Sequence, residues 1–235
     1  MSTQVSSSSS VGIEYPDSDG EPMAENTLQF EWIVTIKENL EILFLDRPDV
    51  FVAGDLFWYP VEGDPKTRIA PDAMVAIGRP KGYRGSYKQW EEGGIAPQVV
   101  FEVLSPSNRG PEMSRKLKFY ERFGVQEYIV YDPDDDVLTG YLRAGDDLVE
   151  IETMDGWESP RLGIHFDMSD HPLKIYGPDG QLFLTFTELE LRRRELARQR
   201  DELARQRDEL ENRLEEQREQ TRRLEAKLKE LGIEP

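Results

Sequence analysis

The sequence predicts a mixed α/β domain followed by one long charged helix. Three observations carry that expectation. Apolar-periodic segments over residues 23–186 run in the order helix, strands, helix, strand, as a sheet flanked by helices requires. Two apolar strands each contain a lone carboxylate, Asp72 in the run Arg68–Ile77 and Glu102 in Gln98–Ser105. From residue 187 the chain changes character and repeats with a period of seven.

Residues 1–22 are expected to form a disordered tail, serine-rich and then Tyr15-Pro16-Asp17-Ser18-Asp19-Gly20. Met1 to Ser10 has no basic residue and no apolar run, so it is not a secretory signal. No stretch approaches the apolar length of a transmembrane helix, and a cytoplasmic location is the default expectation. A first helix is predicted after Pro22, capped near Asn26 or Thr27, with Leu28, Trp32, Ile36, Leu40 and Leu43 at helical spacing. Asp46-Arg47-Pro48 ends it. Val50–Tyr59 reads as a strand, followed by the turn Glu62-Gly63-Asp64-Pro65 and the strand holding Asp72.

Residues 78–94 read as a Gly- and Lys-rich loop, and the Glu102 strand follows. Residues two apart share a strand face, so Glu102 points with Val100 and Leu104 while Phe101 and Val103 point oppositely. Both faces are apolar, and an ionised carboxylate there is costly unless a cation compensates it. A second helix is predicted from about Pro111 to Phe123, with Gly124 as its cap. Met113, Lys116, Leu117, Tyr120 and Phe123 make its inward stripe, whereas Arg115, Lys118 and Arg122 face outward. Glu127–Tyr131 is another apolar strand. Shorter strands near 137–143, 147–153, 162–166 and 181–186 suggest an antiparallel extension.

Beyond residue 187, Arg194–Arg200 and Asp201–Arg207 form a near-perfect heptad pair. Leu189, Leu196, Leu203, Leu210, Leu224 and Leu231 keep register, broken by Gln217, while the partner seam holds Arg193, Arg200 and Arg207 before Leu214 and Leu228. Self-association through a coiled coil over 187–235 is expected, and a single solvated helix supported by pairs such as Glu209 with Arg213 is the alternative.

Composition bounds the chemistry. The chain has 235 residues, 37% of them hydrophobic, which suffices for one good-sized core. The formal net charge is −18; from Glu188 onward 14 acidic and 13 basic residues nearly balance, so the globular part holds the excess. Such a domain does not attract nucleic acid through its general field. There is no cysteine, which excludes disulfides and thiolate metal sites, and two histidines are too few for a His-rich zinc or iron centre. Two converging carboxylates point instead to a hard divalent metal with oxygen ligands. Lys116, on the stripe facing the Glu102 strand, is either a third member of that site or a simple ion-pair partner of Glu102.

These residues carry a family resemblance. Pro71-Asp72, the run Phe101-Glu102-Val103-Leu104-Ser105-Pro106-Ser107, Lys116 with Tyr120, Gly124-Val125-Gln126-Glu127-Tyr128 and Asp132-Pro133 resemble, in this order, the Uma2 family of restriction-endonuclease-like proteins within the PD-(D/E)XK nuclease superfamily. The resemblance runs from about Met23 to Leu184. It implies a restriction-endonuclease-like mixed sheet flanked by helices over 23–186, with Asp72 and Glu102 on adjacent strands. The superfamily lysine two residues after the glutamate falls at Leu104, and the family counterpart maps to Lys116. Glu25 corresponds, by position alone, to an acidic residue that some superfamily members carry on the first helix.

The implied mechanism is metal-assisted phosphodiester hydrolysis, with DNA as the expected substrate. Asp72, Glu102 and the Val103 carbonyl would hold Mg²⁺ or Mn²⁺, and Lys116 would orient the nucleophile and offset transition-state charge. The alternatives are an inactive nuclease-like scaffold that recruits partners through its coil, and a phosphoesterase for small nucleotides.

Other features are weaker. Lys81, Arg84 and Lys88, interleaved with Tyr83, Tyr87 and Trp90, fit either a nucleic-acid contact or an ordinary surface loop. Ser105 and Ser107 fit caps of the Lys116 helix or phosphate ligands. Asp134-Asp135-Asp136 lacks the EF-hand spacing and reads as a hairpin turn. His165 and His171 are isolated, and Gly63–Thr67 lacks the glycine spacing of a phosphate loop.

Overall fold

The computed structural model describes residues 13–18, 20, 22–106 and 110–230. Much of the expected N-terminal tail, together with Ser107 and Leu231, lies outside the described residues. The expectation of disorder fails at Tyr15 and Pro16: the Tyr15 hydroxyl accepts the Gly63 amide at 2.6 Å, its ring packs 5.2 Å from Tyr59 and Trp90, and the Tyr59 hydroxyl donates to the Pro16 carbonyl at 2.5 Å. The chain divides into two units, Met1–Thr185 and Phe186–Pro235.

In the first unit, α1 (Thr27–Leu43) starts at Asn26, whose side chain accepts the Gln29 amide at 2.8 Å and satisfies an otherwise orphan donor. The strands β1 (Val50–Ala53), β3 (Ala73–Ile77), β5 (Val99–Val103), β6 (Glu127–Asp132), β7 (Val137–Ala144) and β8 (Asp147–Glu150) form one sheet in the order β1-β3-β5-β6-β7-β8. The pair β5 and β6 is parallel and the other pairings are antiparallel. A parallel neighbour needs a crossover, and α2 (Pro111–Phe123) supplies it. Gly124 closes α2 in the left-handed conformation (φ 93°), where its amide returns to the Tyr120 carbonyl.

The sheet is mixed and covered on both faces. Ile33, Ile36 and Leu40 of α1 pack with Val99, Phe101 and Val103 on one face. Tyr120 of α2 packs with Met74, Val100, Tyr128 and Val130 on the other. The short hairpin of β9 (His165–Asp167) and β10 (Lys174–Tyr176) joins the α1 side through Phe166 and Ile175. A two-residue parallel pair, β2 (Trp58–Tyr59) with β4 (Tyr87–Lys88), joins the α2 side through Trp58 and Tyr87.

Several expectations need correction. The predicted strand Val50–Tyr59 is broken into β1 and β2 by a bend at Gly54 and Asp55, the latter with φ 47°. The loop 78–94 contains β4. No strand forms over 181–186: Leu182 makes one isolated bridge to Tyr176, the strand is Lys174–Tyr176, and the chain enters a helix at Phe186. The buried stripe of α1 is Gln29, Ile33, Ile36 and Leu40, whereas Leu28 is exposed. The polar Gln29 displaces Leu28 because its side-chain amide donates to the buried Val103 carbonyl.

The second unit is α3 (Phe186–Glu230), a 45-residue helix with no buried residue. At 1.5 Å per residue it is about 68 Å long. Leu196, Leu203, Leu210 and Leu224 stand exposed along it. No helix among the described residues is long and apolar enough to cross a membrane.

Candidate functional site

The site is built on the α2-facing side of the sheet, from two neighbouring strands and the helix above them. Asp72 does not lie inside a strand; it immediately precedes β3, and it points to the same face as Met74 and Ala76. Ala73 pairs with Phe101 and Val75 with Val99, so continuing the register by one residue sets Asp72 opposite Glu102. The Asp72 Oδ2 accepts the Val103 amide at 2.7 Å, which anchors the carboxylate beside its neighbour strand.

Glu102 is 1% exposed, in the middle of a strand buried on both faces. Its two oxygens are served by one helix. Lys116 Nζ donates to Oε2 at 2.7 Å, and the Tyr120 hydroxyl, one turn later, donates to Oε1. Lys116 and Tyr120 are the two buried residues of α2. Residues four apart on a helix share a face, and the same spacing that makes the inward stripe delivers both donors to one carboxylate.

The electrostatics follow from that packing. Burial pushes the Asp72 carboxyl well above the usual range, and the neighbouring Glu102 charge pushes it further, against the opposing pull of Lys116. Burial draws the Lys116 ammonium down, but the charges of Glu102 and Asp72 outweigh it, so its pKa lies above the ordinary lysine value. Burial and Glu102 raise the Tyr120 hydroxyl well above its usual value, so it remains a donor. The Tyr128 ring packs 4.8 Å from Tyr120, and its buried hydroxyl has no hydrogen-bond partner among the described residues.

Above these groups lies a cleft of about 340 Å³ lined by Glu25, Gln29, Asp55, Arg68, Asp72, Glu112, Arg115 and Lys116, among others. Among the described residues no three His, Cys, Asp or Glu side chains come together as a metal cage. The donor set nevertheless suits Mg²⁺, which takes one or two carboxylates and completes its shell with water and substrate phosphate. Each carboxylate oxygen of Glu102 accepts one hydrogen bond and retains a second lone pair. The Val103 carbonyl accepts Gln29 Nε2 at 2.9 Å and likewise keeps one lone pair.

The Uma2 family profile, described as "putative restriction endonuclease", matches residues 8–169. The chain belongs to the Uma2 family. Among solved structures it is similar to a protein titled a "putative nuclease" of DUF820 from Anabaena variabilis, at 16% identity and a TM-score of 0.43, covering 58% of this chain and 73% of that one. No curated protein matches the chain.

Within this Uma2 protein, other predicted features are used differently. Ser105 does not cap α2: its hydroxyl donates to Glu25 Oε2 at 2.6 Å, and the cap position is Gly110, which makes no side-chain cap bond. Glu25 precedes α1 and is tied to Ser105, two residues beyond the strand that carries Glu102. In the 78–94 loop, Arg84 forks onto Glu92 at 2.6 and 3.1 Å and lies over the Phe51 ring, and Arg79 meets the same carboxylate at 2.8 Å. Tyr87 is buried, Lys88 pairs with Glu91 and Lys81 with Glu41. Glu92 therefore clasps both arginines of that loop, while Tyr83 stays exposed. Asp134 and Asp135 turn around the Asp132 carboxylate, while Asp136 accepts the Tyr131 hydroxyl and meets His171.

Tyr120 and Gln29 also contribute, and the sequence marks neither as a site residue. Tyr120 was visible as an inward tyrosine four residues beyond Lys116. Gln29 carried no comparable signal, because a lone glutamine near a helix start is ordinary.

Proposed function

We propose that this cleft hydrolyses phosphodiester bonds in DNA, as a nuclease dependent on Mg²⁺ or Mn²⁺. The observation that carries the reading is the contact of Lys116 with Glu102, beside Asp72, at the floor of an open cleft. A purely structural ion pair does not need a second carboxylate whose proton affinity is raised by the first. Asp72 and Glu102 would hold the cation, with the Val103 carbonyl as a third oxygen. When bound, the cation supplies charge neutralisation and Lewis-acid polarisation at the scissile phosphate.

The chain's own groups have separate tasks. Asp72, whose carboxyl is pushed upward by burial and then by Glu102, would serve the cation as a carboxylate ligand, with the cation's charge offsetting both effects. Lys116 keeps a fixed positive charge next to Glu102, where it counters charge that develops on the phosphate. Tyr120 fixes the Glu102 rotamer through Oε1. Arg68 and Arg115, at the cleft wall, neutralise the entering phosphodiester.

The test is cleavage of plasmid, single-stranded DNA and RNA in Mg²⁺ or Mn²⁺, run beside Glu102→Gln and Lys116→Ala, with calorimetric titration of Mn²⁺. The wild type should cut DNA and bind Mn²⁺, and both variants should lose most activity. Equal cleavage by all three proteins would indicate a contaminant. The second reading is an inactive scaffold, favoured by the donors already present on both Glu102 oxygens; neither cleavage nor Mn²⁺ binding would support it. Assembly of copies through the leucine stripe of α3 in the cytoplasm completes the proposal.

A further inference from the structure

The outward face of α2 borders a second groove, of about 460 Å³, on the other side of Arg115. Its lining includes Lys66, Arg68, Arg115, Lys118 and Arg122, and not one carboxylate. Arg68, Ile69 and Arg115 line both this groove and the carboxylate cleft, so the two adjoin.

Such a wall is unexpected in a chain of net charge −18. Gathered like charges repel, and Lys66, Arg68, Lys118 and Arg122 make no ion pair among the described residues. Arg115 has only a long contact of 3.9 Å with Glu112 and leaves its side chain 80% exposed. A groove lined by five cations and no carboxylate, with Glu112 3.9 Å from Arg115 and Asp64 beside Lys66 outside the lining, is suited to an external polyanion.

We infer that this groove is the track on which the sugar-phosphate backbone of a nucleic acid lies as it enters the carboxylate cleft. The inference rests on the hydrolytic reading above and deepens it by assigning the path along which the nucleic acid reaches the cleft. Arg115, Lys118 and Arg122 recur at i, i+3 and i+7, one stripe about 10 Å long at 1.5 Å per residue. That length matches about three steps of 3.4 Å between successive phosphates along a strand axis. Lys66 and Arg68 face the stripe from the turn before β3, and the Phe119 and Phe123 rings, 4.7 Å apart, offer an apolar floor. The local field of five cations answers the objection that an acidic protein repels DNA, because contact-range attraction acts within a Debye length of about 8 Å.

The test is fluorescence anisotropy of labelled 20-nucleotide single-stranded and duplex DNA against the full chain in EDTA, over a range of salt. The wild type should bind with a steep salt slope. Lys118→Glu/Arg122→Glu should weaken binding by about tenfold or more and flatten the slope by about two, one for each phosphate no longer neutralised. Lys118→Arg/Arg122→Lys should bind like wild type, and Lys118→Gln/Arg122→Gln replaces the reversal if it fails to fold. Arg47→Glu/Lys174→Glu, an equal charge change outside the groove, should change affinity less than twofold. Equal weakening in that control, or displacement by polyglutamate as effective as by DNA, overturns the track. Parallel cleavage in Mn²⁺ separates the two ideas: groove-dependent binding without cleavage sinks only the hydrolysis, and cleavage indifferent to Lys118 and Arg122 sinks only the track.

Discussion

Lys116 Nζ lies 2.7 Å from Glu102 Oε2, so a helix and the strand beneath it share one buried ion pair. The lysine is 8% exposed and the glutamate 1%. Partners that are this deeply buried cannot be separated without exposing an uncompensated charge to an apolar surround.

Lys116→Ala should therefore cost about 3 kcal/mol of stability, measured by urea unfolding in EDTA. The same variant should cut DNA at least ~100-fold more slowly, as expected for loss of a positioned electrostatic group. A stability near that of wild type would show that Glu102 finds another partner.

Asp72→Asn should be at least as stable as wild type at neutral pH without metal, because Asn can still accept the Val103 amide. The sign follows from the raised carboxyl: the folded state binds the Asp72 proton more tightly than the unfolded chain. Wild-type stability thus falls as pH rises from the ordinary carboxylate value through the folded one, and the variant escapes that fall. The gap should open across this window, persist above it and vanish below it. Mg²⁺ should close it by stabilising the wild type alone, and melting curves from pH 3 to 8 with and without Mg²⁺ decide the matter.

Tyr120→Phe removes the donor to Glu102 Oε1 and leaves the ring packing in place. A hydrogen bond to a charged group contributes about 1.5–3 kcal/mol, and a loss of that size should appear in denaturant unfolding. Cleavage should fall less than for Lys116→Ala, since the lysine charge remains. An effect on turnover greater than that of Lys116→Ala would assign Tyr120 a more direct part.

His171 should titrate above the ordinary imidazole value, because the Asp136 carboxylate accepts from its ring. The pairing stabilises the folded state below the unfolded imidazole value, and that stabilisation disappears as pH rises through the folded one. Proton NMR of the ring, repeated on Asp136→Asn, should show the shift and its disappearance.

The proposed assembly of copies through α3 should be lost in Leu203→Glu/Leu210→Glu, read as a monomer by light scattering. These leucines are 66% and 63% exposed on α3, and charges there disrupt a seam between copies. A wild-type chain that is already monomeric at micromolar concentration would remove the assembly from the proposed function.

Local patterns of neighbouring residues determined much of this protein: the boundaries of α2, its Gly124 stop, the inward Lys116, the doubly buried strand around Glu102 and the heptads of α3. Each depends on side-chain periodicity or backbone conformation within a dozen residues, and a linear text records both. Tertiary structure alone decided what met what. The β3–β5 register set Asp72 against Glu102, and a buried carbonyl drew Gln29 inward in place of Leu28. Glu92 consumed the arginines of the 78–94 loop, while Lys66 and Arg68 came to face the outward stripe of α2. Register and loop closure couple residues tens of positions apart through hydrogen bonding and volume, and periodicity within one segment does not encode that coupling.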